Sequence, residues 1–110
     1  MLATTLVIAM GEFGRTPTLN PNLGRDHWPN CWSLALTGGG IKTGQVIGSS
    51  DEKGFNVTSR VVTMGDLYAT IYKALGIDWT KDYMSPIGRP IKIANSLDDR
   101  TGEPIAELLG

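Results

Sequence analysis

The feature that most constrains this chain is its first apolar run, Thr4-Thr5-Leu6-Val7-Ile8-Ala9-Met10, stopped by Gly11. It is rich in β-branched residues and does not alternate with polar ones. That is the pattern of a strand covered on both faces inside an α/β sheet. Such a strand needs a layer on each side, and the chain offers one clear helix to build them. Met64, Leu67, Tyr68, Ile71, Tyr72 and Leu75 recur at helical spacing. Thr63 with Asp66 forms a capping pattern at the start, and Gly76 stands where a left-handed C′ residue is expected. The spacing predicts a helix over 64–75 with its large apolar face buried. A second apolar run at 31–37 closes at Gly38-Gly39-Gly40. Short strands are expected at 46–47 and 56–59, joined by a turn through 50–54, and again within 87–94, where Pro90 interrupts. Residues 103–109 read as one helical turn or a frayed end. One helix cannot cover both faces of a sheet, so the expectation is a single incomplete α/β segment over 1–110 that finds its missing layer in an absent N-terminal part or in another chain.

Composition removes several function classes. Ten basic residues against eleven acidic ones, scattered along the chain, leave no electrostatic footprint for nucleic acid. No apolar stretch approaches the roughly 18 residues needed to span a bilayer. The opening run lacks the basic n-region and the cleavage site of a signal peptide, which supports its reading as a strand. A lone Cys31 makes no internal disulfide and belongs to no zinc-ligand pattern.

Almost all the chemically interesting side chains fall in 11–30, a stretch with three prolines, three glycines and three asparagines. It reads as a long irregular loop, and a loop of that length in a compact domain is usually functional. Loops at strand ends are where α/β sheets bind ligands. Glu12 stands just past the first strand, and Arg15, Arg25, Asp26 and His27 follow. A carboxylate and an imidazole together can ligate a divalent metal, while two guanidiniums can clamp an oxyanion. That combination suits hydrolysis of a phosphate or sulfate ester. Each residue also has a plainer reading: Glu12 as a surface charge, His27 as a half-buried loop residue, Arg25-Asp26 as a surface ion pair, Arg15 as a brace on carbonyls. The triple glycine lacks the spacing of a phosphate-binding loop, and Ser49, Ser50 and Thr16 have no base beside them in sequence.

The motifs Thr5-Leu6-Val7, Gly11-Glu12-Phe13-Gly14-Arg15-Thr16-Pro17, Gly24-Arg25-Asp26-His27-Trp28-Pro29, Gly38-Gly39-Gly40-Ile41-Lys42-Thr43-Gly44, and Asp66-Leu67-Tyr68-Ala69-Thr70-Ile71 with Leu75-Gly76-Ile77 resemble, in this order, the C-terminal portion of the sulfatase-like exported bacterial family "domain of unknown function 1501". The wider resemblance is to the alkaline phosphatase and sulfatase superfamily. It implies a mostly parallel central sheet, an anionic ester substrate and a divalent metal such as zinc, calcium or magnesium. It also implies a metal-binding Asp-His pair at the end of a strand like 4–10. Here Glu12 stands at the carboxylate position and Phe13 at the imidazole position. Either His27 swings in from the loop, or the metal site is altered or lost. On this resemblance Glu12, Asp26 and His27 are the metal candidates, His27 the catalytic one, and Arg15 and Arg25 hold the ester anion. The nucleophile and a twin-arginine export signal belong to N-terminal parts not found in these residues, so the segment is expected to be inactive alone. A non-catalytic exported binding or scaffold protein, or a truncated gene product, are the alternatives.

Overall fold

The computed structural model describes residues 1–110. Its elements are β1 (Leu6–Ala9), β2 (Gly14–Arg15), β3 (His27–Trp28), β4 (Ala35–Gly38), β5 (Ser49–Ser50), β6 (Val57–Ser59), α1 (Met64–Ala74), β7 (Asp82–Met84), β8 (Pro90–Lys92) and α2 (Ala106–Leu109). Short 3-10 turns occupy Leu2–Thr4 and Leu97–Asp99. The strands pair two by two, β1 with β4, β2 with β3, β5 with β6 and β7 with β8, in four separate sheets. The last three pairs are antiparallel.

The mostly parallel central sheet of an alkaline phosphatase-like α/β fold is therefore not what this chain forms. Parallel neighbours need a crossover of a dozen or more residues, usually a helix, between successive strands. With α1 as the one helix longer than a single turn, no central sheet is assembled: β5–β6 and β7–β8 close through short turns, β2–β3 through residues 16–26, and β1 pairs with β4 across a longer connection. The expectation for β1 changes with it. Its residues alternate half-buried and exposed, because a two-stranded sheet has no interior strand.

The chain divides into two compact units, one of Met1–Val7, Thr37–Gly44 and Val62–Gly110, the other of Ile8–Leu36 and Gln45–Val61. The first is organised by α1, which starts and ends as its sequence predicts. Thr63 Oγ1 accepts the Asp66 N–H at 3.2 Å while the Asp66 carboxylate accepts the Thr63 N–H at 2.9 Å, a complete capping box. At the other end Gly76 takes φ +76°. Its N–H donates to Lys73 O at 3.0 Å, and Ile77 N–H donates to Tyr72 O at 2.8 Å. These are the two bonds of a Schellman motif.

The buried face of α1 only partly coincides with the one that hydrophobic spacing selects: Leu67 is buried and Met64, Ile71 and Tyr72 are half-buried. Gly65, Leu67, Ala69 and Thr70 are buried, whereas Tyr68 is 43% and Leu75 57% exposed. Residues 94–105 pass over the small-residue side as an irregular strap. A Cβ on Gly102 would overlap the carbonyl of Gly65, and one on Gly65 would meet Ser96 Cβ at 2.6 Å. Absent side chains at both positions let two backbones approach closely. Hydrogen bonds then fasten the strap to the helix: Glu103 N–H to Asp66 Oδ1 at 2.9 Å, Ile105 N–H to Thr70 Oγ1 at 2.8 Å, and Thr63 Oγ1 to Ser96 Oγ at 2.7 Å. Thr70 can be wholly buried because its hydroxyl also donates to Asp66 O at 2.7 Å. Leu67, Ala69, Ala94, Ile105, Leu108 and Ile41 complete a small core.

Candidate functional site

The second unit carries every site residue singled out in the sequence. The stretch 11–30 is not irregular throughout. Its two ends zip into an antiparallel ribbon in which Gly14 faces Trp28 and Arg15 faces His27. Thr16 N–H extends the ladder to Asp26 O at 3.0 Å. Gly14 has to be glycine here, since a Cβ would overlap the carbonyl of Cys31 and sit 2.9 Å from Trp32 Cβ. The ribbon turns around at Asn20, whose Oδ1 accepts the N–H groups of Asn22 and Gly24 at 3.0 and 2.9 Å. Leu23 takes a left-handed φ of 62° to close that turn. The Asn20-Pro21-Asn22 run is the local signal that would have revealed the turn, since asparagine side chains mimic backbone turns in this way.

Directly opposed residues of an antiparallel pair project to one face, so Arg15 and His27 share a side of the ribbon. Phe13 lies there too. The His27 ring is 3.9 Å from the Phe13 ring between centroids, tilted by 31°, and the Arg15 guanidinium carbon is 5.6 Å from the same centroid. Phe13, read in the sequence as a departure from a metal-site pattern, is the surface on which the imidazole and the guanidinium rest. No spacing rule signals this, because it depends on the register of β2 against β3.

The other candidates are placed differently. Arg25 Nη1 donates to Thr16 O at 2.9 Å and Pro17 O at 2.8 Å, and Arg15 Nη1 donates to Arg25 O at 3.2 Å. Arg25 is thus a brace inside the ribbon. Asp26 Oδ1 accepts from Asn20 Nδ2 at 3.0 Å rather than pairing with Arg25. Neighbouring residues of an extended strand point to opposite faces, so Asp26 and His27 do not converge on one point. Glu12 lies in an exposed bend before β2 and is joined to His27, Arg15 and Arg25 by no hydrogen bond or ion pair. No three His, Cys, Asp or Glu side chains are grouped so as to hold a metal ion. Glu12, Asp26 and His27 are not brought together as a donor set in this arrangement.

The ribbon is anchored by Trp28, whose Nε1–H donates to Phe55 O at 2.6 Å and whose ring meets the Phe55 ring edge-on at 5.8 Å. Phe55 belongs to the β5–β6 hairpin, where Asp51 gathers the N–H groups of Lys53, Phe55 and Asn56 at 2.9 to 3.1 Å. Those donors, the Phe55 N–H foremost, hold the Asp51 carboxyl below the usual carboxylate range against a smaller opposing effect of desolvation. The Thr16 hydroxyl donates to Thr18 O at 2.8 Å and accepts the Asp26 N–H at 3.1 Å, a structural use that leaves it no base.

The family model described as "Protein of unknown function (DUF1501)" matches residues 1–109. No curated protein and no solved structure matches the chain. No helix is long and apolar enough to cross a membrane.

Proposed function

The chain belongs to the DUF1501 family, and from that premise we propose that its β2–β3 ribbon is an oxyanion-binding element of a sulfate- or phosphate-ester hydrolase. Arg15 and His27 take the ester oxygens. The observation that carries this is their direct opposition on one face of the ribbon, both resting against Phe13. A guanidinium offers a fixed fork of donors to an oxyanion, and an imidazole beside it adds one donor when neutral and a second with a charge when protonated. Phe13 limits the rotamers of both groups, so less freedom is lost when the anion binds. Arg25 keeps the ribbon's return strand in register through the carbonyls of Thr16 and Pro17. The chain's share of the chemistry on this reading is to hold the anion; the bond-breaking nucleophile lies outside the ribbon.

A second reading, a binding or scaffold protein without turnover, is favoured by the opposite-facing placement of Asp26 and His27. The two are separated by pairing a titration with an assay. Sulfate, phosphate and phenyl phosphate are titrated into labelled protein while the amide and side-chain resonances of Arg15 and His27 are followed by NMR, and release of phenol from phenyl sulfate and phenyl phosphate is measured in parallel. Saturable shifts at Arg15 and His27 that Arg15→Ala weakens about tenfold support the oxyanion site, tenfold being the scale of one charge-assisted contact. Turnover with binding supports the hydrolase and binding without turnover the scaffold. Equal affinity of the parent and Arg15→Ala removes the site altogether.

A further inference from the structure

The first unit has an open surface hollow of about 470 Å³ beside the β7–β8 hairpin, away in sequence from the ribbon. Ile87 and Ile91 supply an apolar wall, and both are more than half exposed. Arg89 and Lys92 supply two cations, and both are drawn to Asp99: Arg89 Nη2 lies 3.2 Å from Asp99 Oδ2, and Lys92 Nζ donates to Asp99 O at 2.7 Å. Asp98 and Asp99 reach this position through two consecutive left-handed backbones, φ 59° and 57°. That conformation is costly for residues other than glycine and persists where surrounding contacts impose it. The Arg89–Asp99 pair is open to solvent, with side chains 68% and 71% exposed, so it holds weakly.

From this arrangement we propose that the hollow binds a monocarboxylate carrying an aliphatic chain, and that Asp99 is the carboxylate that occupies it otherwise. The head group is identified by the molecule itself, since the group now held by Arg89 is a carboxylate. With Asp99 in place the lining carries one net positive charge, and with Asp99 displaced it carries two, complementary to a ligand anion. The two exposed isoleucines are the surface an aliphatic chain would cover. Asp99 is a tethered competitor, and removing its charge should tighten binding.

The test uses octanoate as probe against the full chain, followed by calorimetry and by NMR of residues 85–92, with acetate and 1-octanol as controls lacking the chain and the charge. Octanoate is expected to bind at least about tenfold more tightly than either control, since each supplies only half of the complementarity. Asp99→Asn keeps a residue that tolerates the left-handed backbone, and it should bind octanoate about threefold to fivefold more tightly than the parent, the scale of an exposed ion pair. Arg89→Gln should bind it about tenfold more weakly. The proposal is overturned if Asp99→Asn shows no gain, if 1-octanol binds as well as octanoate, if Arg89→Gln binds like the parent, or if neither the parent nor Asp99→Asn binds octanoate at tens of millimolar.

Discussion

Replacing Gly102 by alanine should unfasten the strap from α1. The new methyl group would overlap the carbonyl carbon and oxygen of Gly65 and lie 2.6 Å from Asp66 N. All three are backbone atoms, so no side chain can rotate away and the strap itself has to retreat. Two hydrogen bonds then fail together, Glu103 N–H to the Asp66 carboxylate and Ile105 N–H to Thr70 Oγ1. A hydrogen bond to a charged partner contributes about 1.5–3 kcal/mol, and a buried donor left unsatisfied costs about 1–3 kcal/mol. The expected loss is about 3–5 kcal/mol, before any exposure of Ile105 and Leu67. Against a total stability of about 5–15 kcal/mol for a domain of this size, that is a large fraction. Gly40→Ala in the same unit is the control. Unlike Gly102 it has a left-handed φ, and no atom lies within 4 Å of a new Cβ, so it should cost only the conformational penalty of about 1–2 kcal/mol. Urea denaturation followed by circular dichroism at 222 nm reads both. A Gly102→Ala protein no less stable than Gly40→Ala would refute the close packing of the strap on α1.

Removing the helix cap with Thr63→Ala should destabilise by about 1–2 kcal/mol, because the hydroxyl serves both the Asp66 N–H and Ser96; Thr63→Ser should recover most of it in the same denaturation assay. Leu23→Gly should stabilise the ribbon by up to about 1 kcal/mol by relieving a left-handed leucine that is 80% exposed, and a lower melting temperature would count against the observed turn. The Asp51 carboxyl, depressed chiefly by the Phe55 N–H, contributes stability that is present above the carboxyl's unfolded-state pKa and is lost as pH falls through its lower folded-state value. The amide resonances of Phe55 and Asn56 should therefore move with a midpoint below the ordinary aspartate range, and a midpoint at or above that range contradicts the three-donor turn. Phe13→Ala should free the His27 ring and weaken oxyanion binding at Arg15 several-fold without unfolding the protein, since the half-buried ring lies on the ribbon surface; unchanged anion titrations would show that the ring has no part in holding the two donors.

How much could be read in advance divides along the range of the interactions. The ends of α1 were legible because each is decided within five residues: the Thr63–Asp66 capping box and the Gly76 C-cap are closed by near neighbours. The turn near 50–54 and the strand at 56–59 were legible for the same reason, but the strand expected at 46–47 forms at Ser49–Ser50, and the first strand, expected over 4–10 and covered on both faces, is Leu6–Ala9, half-exposed and paired with β4. The site was legible only as a list. Glu12, Arg15, Arg25, Asp26 and His27 fall together in the sequence, but their division into an exposed bend residue, a surface pair, a brace and a turn partner follows from the β2–β3 register, which a loop rich in glycine and proline does not reveal.

What the sequence alone determined is thus local: one capped helix, several short extended runs and a net charge without a polyanion footprint. Tertiary structure decided which side of that helix is covered. Spacing favoured the large side chains, of which Leu67 is buried, yet Gly65 and Gly102, thirty-seven positions apart, let two backbones meet on the small side and leave Tyr68 and Leu75 exposed. It also decided that the strands close as separate pairs and that Phe13 lies beneath Arg15 and His27. Contacts between distant backbones are governed by what fits in space, and hydrophobic periodicity carries no record of that.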